Sequence, residues 1–236
     1  MIKIHDLRWN QRSLSSVTAN FKPTPWACAL AKVCQKFKVE EEKVTEDSKF
    51  LGHGADGYVF KVTIADHIGA YALKISTKSM RNSHAILNKL AEKGVTCVPK
   101  VVGDVETATE GELEVESMLS TPVLQSVASI KRCLTEEHVK ALFTSLASIH
   151  KAGYLHRDPR LANFGWVTKN NSDFYWIDFV RARALDNDAE VLHDFNIVCD
   201  DLKKYEMWCP DNIESKLEAY LQDKKFDCSV FWNDED

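Results

Sequence analysis

The chain lacks the marks of a membrane protein, a disulfide scaffold or a nucleic-acid binder. No stretch of its 236 residues approaches the roughly 20 apolar residues of a membrane span, and the opening Met1-Ile-Lys-Ile-His-Asp has no continuous apolar run of the signal-peptide kind. Seven cysteines (Cys28, Cys34, Cys97, Cys133, Cys199, Cys209, Cys228) are odd in number, dispersed and without a C-x-x-C pair, which argues against a zinc or dithiol motif and fits a reducing compartment. A formal charge of −5 and a pI near 5.9 provide no basic field to draw in nucleic acid or an anionic bilayer. A soluble intracellular chain, cytoplasmic or nuclear, is expected, with neither nucleic acid nor membrane among its partners.

What is present suffices for a packed core. Hydrophobic residues make up 44% of the chain and charged ones 28%, enough for one compact domain or two small lobes. Near the start, Trp26, Leu30, Val33, Cys34 and Phe37 recur at helical spacing after Pro25, which predicts a helix over 26–37 packed on the outside of the domain, with partner binding as the alternative. The charged stretch 39–47 reads as a solvated connection. From residue 50 to 75 the pattern turns strand-like: Phe50-Leu51, a glycine turn, strand 58–64, a turn over 66–69 and strand 70–75. A helix over 81–93 follows, with Ile86, Leu87 and Leu90 on one face and Gly94 at its end, and then strands over 98–102 and 113–116. Downstream, Thr135 caps a helix carrying Val139, Leu142, Phe143, Leu146 and Ile149, and Gly153 ends it. A hairpin around Asn170-Asn171 would place Asn163 just before one strand and Asp178 just after the other. Helices over 189–208 and 213–221, the second opening after Pro210-Asp211-Asn212, complete the pattern.

Four short segments carry chemistry, in one order: Gly52-His-Gly54-Ala-Asp-Gly57, Ala72-Leu-Lys74, His156-Arg-Asp158-Pro-Arg160-Leu-Ala-Asn163 and Asp178-Phe179. Glycines without Cβ atoms let a hairpin backbone approach phosphate oxygens and turn its amides toward them, with Leu51 and Val59 covering a base. A lone G-x-G-x-x-G is weak; the lysine strand that follows strengthens it. Alternation puts Ala72 and Lys74 on one face, Ala72 leaving room for a flat base and Lys74 neutralising phosphates. The amide oxygen of Asn163 and the carboxylate of Asp178 suit a hard cation such as Mg²⁺. Arg160 either steadies a transferred phosphate or faces solvent. His150 and His193 have no partners visible in the sequence and read as ordinary packed or surface residues.

Taken together, these segments resemble the protein kinase superfamily over residues 50 to 202, and most nearly the reduced kinase-like domains of eukaryotic microbes, crinkler-type effectors included, which share a His-x-Asp-Pro-Arg loop. The resemblance implies an α+β, two-lobed fold: an N-terminal extension packing on the domain (1–45), a five-stranded N-lobe (46–118) and a reduced, mainly helical C-lobe (119–236). It implies ATP and Mg²⁺ as cofactors and a protein substrate, with transfer to Ser or Thr or to the chain itself; a nucleotide-binding pseudokinase and a small-molecule kinase are the alternatives. By resemblance Asp158 orients and deprotonates the acceptor hydroxyl, and His156 packs and hydrogen-bonds the metal-binding segment. Glu116-Ser117-Met118 becomes the hinge that pairs with adenine, with Val115 at the back of the pocket. Asp194, with Asp200 or Asp201 as alternatives, braces the catalytic loop. Two departures stand out. Ser83 or His84 falls where the family carries a helix glutamate, leaving Glu92 as the only acid of that helix, and Val180 replaces the glycine after Asp178-Phe179. No Ala-Pro-Glu segment follows, so peptide-docking elements are largely absent.

Overall fold

A computed structural model describes residues 25–39, 50–53, 57–64, 68–126, 134–167, 174–210, 212–222 and 228–232. The solvated connection over 40–47, Gly54, Asp66, Cys133, Asn170-Asn171 and Asp211 lie outside the described residues, as do residues 1–24. The fold is α+β, and the chain divides into two compact units, Met1–His84 with Val101–Val123 and Ala85–Lys100 with Leu124–Asp236.

The first unit is built on an antiparallel sheet of five strands: β1 (Phe50–His53), β2 (Gly57–Val62), β3 (Tyr71–Ser76), β4 (Lys100–Glu110) and β5 (Leu113–Thr121), in the order β1-β2-β3-β5-β4. Strand alternation sends Phe60, Val62, Tyr71, Leu73, Ile75, Val115 and Leu119 to one face, where they form a core with Ala29 and Val33 of helix α1 (Pro25–Lys36). The helix expected at 26–37 therefore covers the sheet as a working layer of the core. Two lysines strap it to β4: Lys32 Nζ reaches the Thr109 carbonyl at 2.6 Å and Glu110 at 2.8 Å, and Lys36 Nζ the Thr107 carbonyl at 2.6 Å and Glu106 at 3.2 Å. Helix α2 (Arg81–Glu92) starts one residue after buried Met80 and stops at Gly94, whose positive φ of 78° suits glycine.

Both later strands of the sheet exceed their expected lengths. Strand β5 continues past Glu116 to Thr121, pairing Ser76 with Glu116, Lys74 with Met118 and Ala72 with Ser120. The expected hinge at 116–118 is thus corrected to the interior of a strand. Ser117 explains the shortfall: it sits on the core face, fully buried, with its hydroxyl satisfied by the Glu106 carbonyl at 3.0 Å, so the apolar alternation breaks although the strand does not.

The second unit is mainly helical. Helix α3 (Glu136–Lys151) opens on a capping box: the Thr135 hydroxyl accepts from the His138 amide, and His138 Nδ1 accepts from the Thr135 amide. Its apolar face, with Val139, Leu142, Phe143, Leu146 and Ile149 buried, meets Phe195 of helix α4 (Val191–Lys204) and Phe231, which in turn packs on Tyr220 of helix α5 (Ile213–Gln222). Short strands complete the unit: β6 (Gln125–Ser126), β8 (Phe164–Trp166) and β9 (Phe174–Trp176) form one sheet, and β7 (Tyr154–Leu155) pairs with β10 (Arg183–Ala184). Trp176 fixes β9 in place, its amide bonded to the Cys97 carbonyl and its indole N–H to Ser145 Oγ, both at 2.8 Å. Cys97 is itself half-buried, and its partial removal from water pushes its thiol up to about 11. Among the described residues no helix is long and apolar enough to cross a membrane.

Candidate functional site

In the first unit, register alone assembles the expected residues. Val59 lies opposite Lys74, and Lys74 opposite Met118, so the three form one row across β2, β3 and β5 on the face away from the α1 core. Ala72 and Glu116 lie on the same face at either side of that row, and Gly52 of β1 pairs with Val59. Leu51 precedes Gly52 at an irregularity in the β1–β2 register. The two described glycines of the hairpin differ. A Cβ on Gly57 would stand 1.9 Å from the Ile75 carbonyl oxygen, so the close approach of β2 to β3 demands glycine there; a Cβ on Gly52 would meet nothing within 4 Å. Packing explains Gly57 and leaves Gly52 unexplained.

Glu116 has a local task that its sequence position did not reveal. Its carboxylate accepts from the Met80 amide at 2.6 Å, from Ser79 Oγ at 3.0 Å and from Arg81 Nε at 3.1 Å, at the start of α2. An anion at a helix N-terminus meets unpaired amides and the positive end of the helix dipole. Burial raises the pKa of this carboxyl, but the bonds from Met80, Ser79 and Arg81 outweigh it and hold the group below the usual glutamate value. Within α2, Ser83 is buried and its hydroxyl finds no hydrogen-bond partner among the described residues, while His84 Nε2 lies 2.8 Å from the Gly103 carbonyl. Neither supplies a carboxylate, and Glu92 is exposed at the far end of the helix.

The second unit holds its residues by discrete bonds. Asp194 of α4, fully buried, accepts from the His156 amide at 2.8 Å and the Arg157 amide at 2.9 Å, and lies 3.2 Å from His150 Nε2. Burial raises the pKa of this carboxyl, yet His150 and the His156 amide bring it below the ordinary aspartate value. Of the three aspartates considered as braces, Asp194 takes the start of the loop and Asp201 bonds the Leu161 amide at 2.9 Å, while Asp200 is exposed. His150, which sequence reading left without a partner, is buried beside Asp194, with the Tyr220 hydroxyl 3.5 Å from its Nδ1; His193 is exposed. The two groups that meet at His150 are 44 and 70 residues away in sequence, a separation that leaves no local pattern.

His156 packs against Phe179, ring centroids 4.6 Å apart, and its Nε2 lies 3.0 Å from the Ile177 carbonyl, one residue before Asp178. The Asp158 amide points at its Nδ1 from 3.4 Å. A donor amide at Nδ1 and an acceptor carbonyl at Nε2 assign the neutral tautomer with the proton on Nε2. Burial agrees, pushing the pKa below the ordinary histidine value against the opposing pull of Asp194.

Arg160 grips Asp158 with two bonds, Nε to Oδ1 at 2.7 Å and Nη2 to Oδ2 at 3.0 Å. That fork holds the guanidinium pKa above its ordinary value. Asn163, buried in the short 3₁₀ turn Leu161–Asn163, donates Nδ2 to the Asp158 carbonyl at 2.9 Å and to Asp158 Oδ2 at 3.2 Å. Both partners are acceptors only, so the amide orientation follows and Oδ1 is left for another donor or a cation. The Asn163 carbonyl accepts from the Ile177 amide at 2.8 Å, which brings exposed Asp178 beside it. Asp178 is left-handed, φ 66° and ψ 62°, a conformation aspartate tolerates better than most residues. Val180 stands inside the following 3₁₀ turn Phe179–Arg181, where nothing requires glycine. Among the described residues no group of three or more His, Cys, Asp or Glu side chains converges as a metal cage. Asn163 Oδ1 and the Asp178 carboxylate nonetheless fit a hard cation that takes its remaining ligands from water and phosphate.

No protein-family model and no curated protein matches the sequence. Among solved structures the chain is similar to WaaP in complex with acyl carrier protein, at 15% identity and a TM-score of 0.48 over 79% of this chain and 90% of that one. It is also similar to the crystal structure of a kinase domain, at 15% identity and a TM-score of 0.43 over 59% of this chain and 51% of that one.

Proposed function

We propose that the protein is an ATP- and Mg²⁺-dependent phosphotransferase, an atypical kinase acting on a Ser or Thr hydroxyl of a protein or of the chain itself. The observation that carries this reading is the bonding of the loop over 156–163, where a carboxylate, Asp158, is tied to an amide, Asn163, whose own carbonyl holds the residue before Asp178. A base and two hard oxygen donors on one rigid backbone are what in-line phosphoryl transfer asks of a protein.

In this reading Asp158 receives the proton of the acceptor hydroxyl as its oxygen bonds to the γ-phosphorus, and the bond from that phosphorus to the β–γ bridging oxygen breaks to release ADP. Lys74 and the amides of Gly52, Gly54 and Gly57 hold the phosphates. Leu51, Val59, Ala72 and Met118 enclose the base, and the backbone beyond Thr121 takes over the adenine pairing first expected of Glu116. A bound Mg²⁺ supplies charge neutralisation at the phosphates, with Asn163 Oδ1 and Asp178 as its protein donors. Arg160 leaves Asp158 to meet the transferred group.

The Arg160 fork also favours a second reading, a nucleotide-binding module without turnover, because both oxygens of the base are occupied. Mg²⁺-dependent transfer of label from γ-labelled ATP, by wild type and Asp158→Ala side by side, separates the two. Label from wild type alone supports the kinase; ATP-induced thermal stabilisation with label from neither protein supports the module. Label that appears only on compounds of a metabolite panel would instead identify a small-molecule kinase.

A further inference from the structure

Asp194 and Asp201 lie seven residues apart on α4. Two turns of helix bring them to one face, separated by about 10 Å along the axis. Asp194 takes the amides of His156 and Arg157, and Asp201 Oδ2 takes the amide of Leu161 from 40 residues away. We propose that Asp201 is a positioning residue for the loop that carries Asp158, and that α4 works as a rail whose two carboxylates fix that loop at both ends.

Leu161 opens the 3₁₀ turn that ends in Asn163, and the first amide of such a turn has no partner within it. The preceding residue, Arg160, gives no side-chain cap, because a guanidinium has no acceptor to offer an amide. Leu161 is only 1% exposed, so an amide without Asp201 would be left largely shut away from water. The turn then transmits its position. The Asn163 amide closes on the Arg160 carbonyl at 2.8 Å, and the Asn163 side chain binds Asp158. Asp201 also contributes to the field that holds Arg160 protonated. Displacement at Leu161 would therefore reach the base, the amide donor and the arginine together. Neighbouring Asp200 points to solvent and shares none of this.

The tether rests on the structure, and its catalytic consequence rests on the phosphotransferase reading. The test uses the full chain as wild type, Asp201→Asn and Asp201→Ala, with hydrogen exchange across residues 159–165 measured without nucleotide and kcat and KM measured for label transfer. Asparagine keeps an acceptor oxygen and should stay near wild type in both. Alanine should speed exchange at the Leu161 amide by about tenfold or more. Its kcat should fall about 10- to 100-fold with KM for ATP little changed. If the alanine protein does not fold, Asp201→Ser, too short to reach the amide, replaces it. Exchange equal to wild type overturns the tether. Faster exchange with unchanged kcat overturns the positioning role. A wild type that transfers nothing removes the phosphotransferase reading and the catalytic consequence with it, while the exchange contrast still decides the tether.

Discussion

The sheet unit and the helical unit hold their candidate residues by different means. On the sheet, Val59, Lys74 and Met118 stand in line because three strands pair in one register, and every backbone bond along those strands shares the burden. In the helical unit the loop over 156–163 follows two residues of strand pairing, at Tyr154 and Leu155, and is held by discrete bonds, from its amides to carboxylates of α4 and from His156 and Asn163 to the backbone of Ile177. A distributed scaffold tolerates the loss of one side chain. A loop hung from single buried bonds does not, and that difference predicts where substitutions do most harm.

The largest effect should come from Asp194. Asp194→Ala leaves the His156 and Arg157 amides and His150 without their acceptor in a fully buried place, which should cost roughly 3–5 kcal/mol and abolish transfer. Urea unfolding followed by far-UV circular dichroism gives the cost; a loss below about 1 kcal/mol would put the loop's support elsewhere.

On the sheet, the comparable weak point is a backbone contact. Gly57→Ala drives a Cβ into the Ile75 carbonyl, and the pair β2–β3 must separate or shift, for a cost of roughly 1–3 kcal/mol. Because Val59 and Lys74 belong to that same pair, ATP binding should weaken along with stability. Thermal melts with and without ATP check both.

How far the sequence foretold this division follows from the range of each interaction. The strands β1 to β3, the helices α1 to α5 and the order of the four segments come from periodicity and turn residues, which act within a few positions. Strand β5 looked shorter than it is because Ser117 interrupts its apolar face, and the edge strand β4 because Asp104, Glu106 and Glu110 give it a solvated character. Glu116 accordingly read as a hinge residue when it caps α2. The bonds of Asp194 and Asp201 to the loop span 37 to 40 residues and leave no periodic trace, so the resemblance alone put Asp194 first as the brace, with Asp200 or Asp201 as alternatives, and the separate bond of Asp201 was not foreseen.

Acid should weaken the two units in separate windows. His156 has its pKa depressed in the folded state, so the unfolded chain binds a proton first; its contribution is complete above an ordinary histidine value of about 6.5 and is lost as pH falls from there toward the folded value. Glu116, also depressed, keeps its contribution above an unfolded value of about 4.5 and loses it as pH falls below. Lowering pH from 7.5 to 5.5 should therefore reduce stability through the helical unit, with exchange protection falling first over 154–163 and holding at 79–83. Equal loss in both regions at pH 5.5 would show that His156 does not control this step.

The smallest effect on folding separates scaffold from function. Gly52→Ala puts a methyl group where no atom lies within 4 Å, at a position whose φ is not left-handed, so stability should change by no more than about 0.5 kcal/mol. If Gly52 is glycine because a phosphate must come close to the backbone, the same methyl group raises KM for ATP severalfold and leaves the melting temperature of the free protein alone. Gly57→Ala raises KM and lowers the melting temperature together, because there the fold itself requires the missing Cβ. An unchanged KM in the Gly52→Ala protein would restrict the hairpin to an ordinary turn and leave Lys74 as the phosphate contact of the sheet.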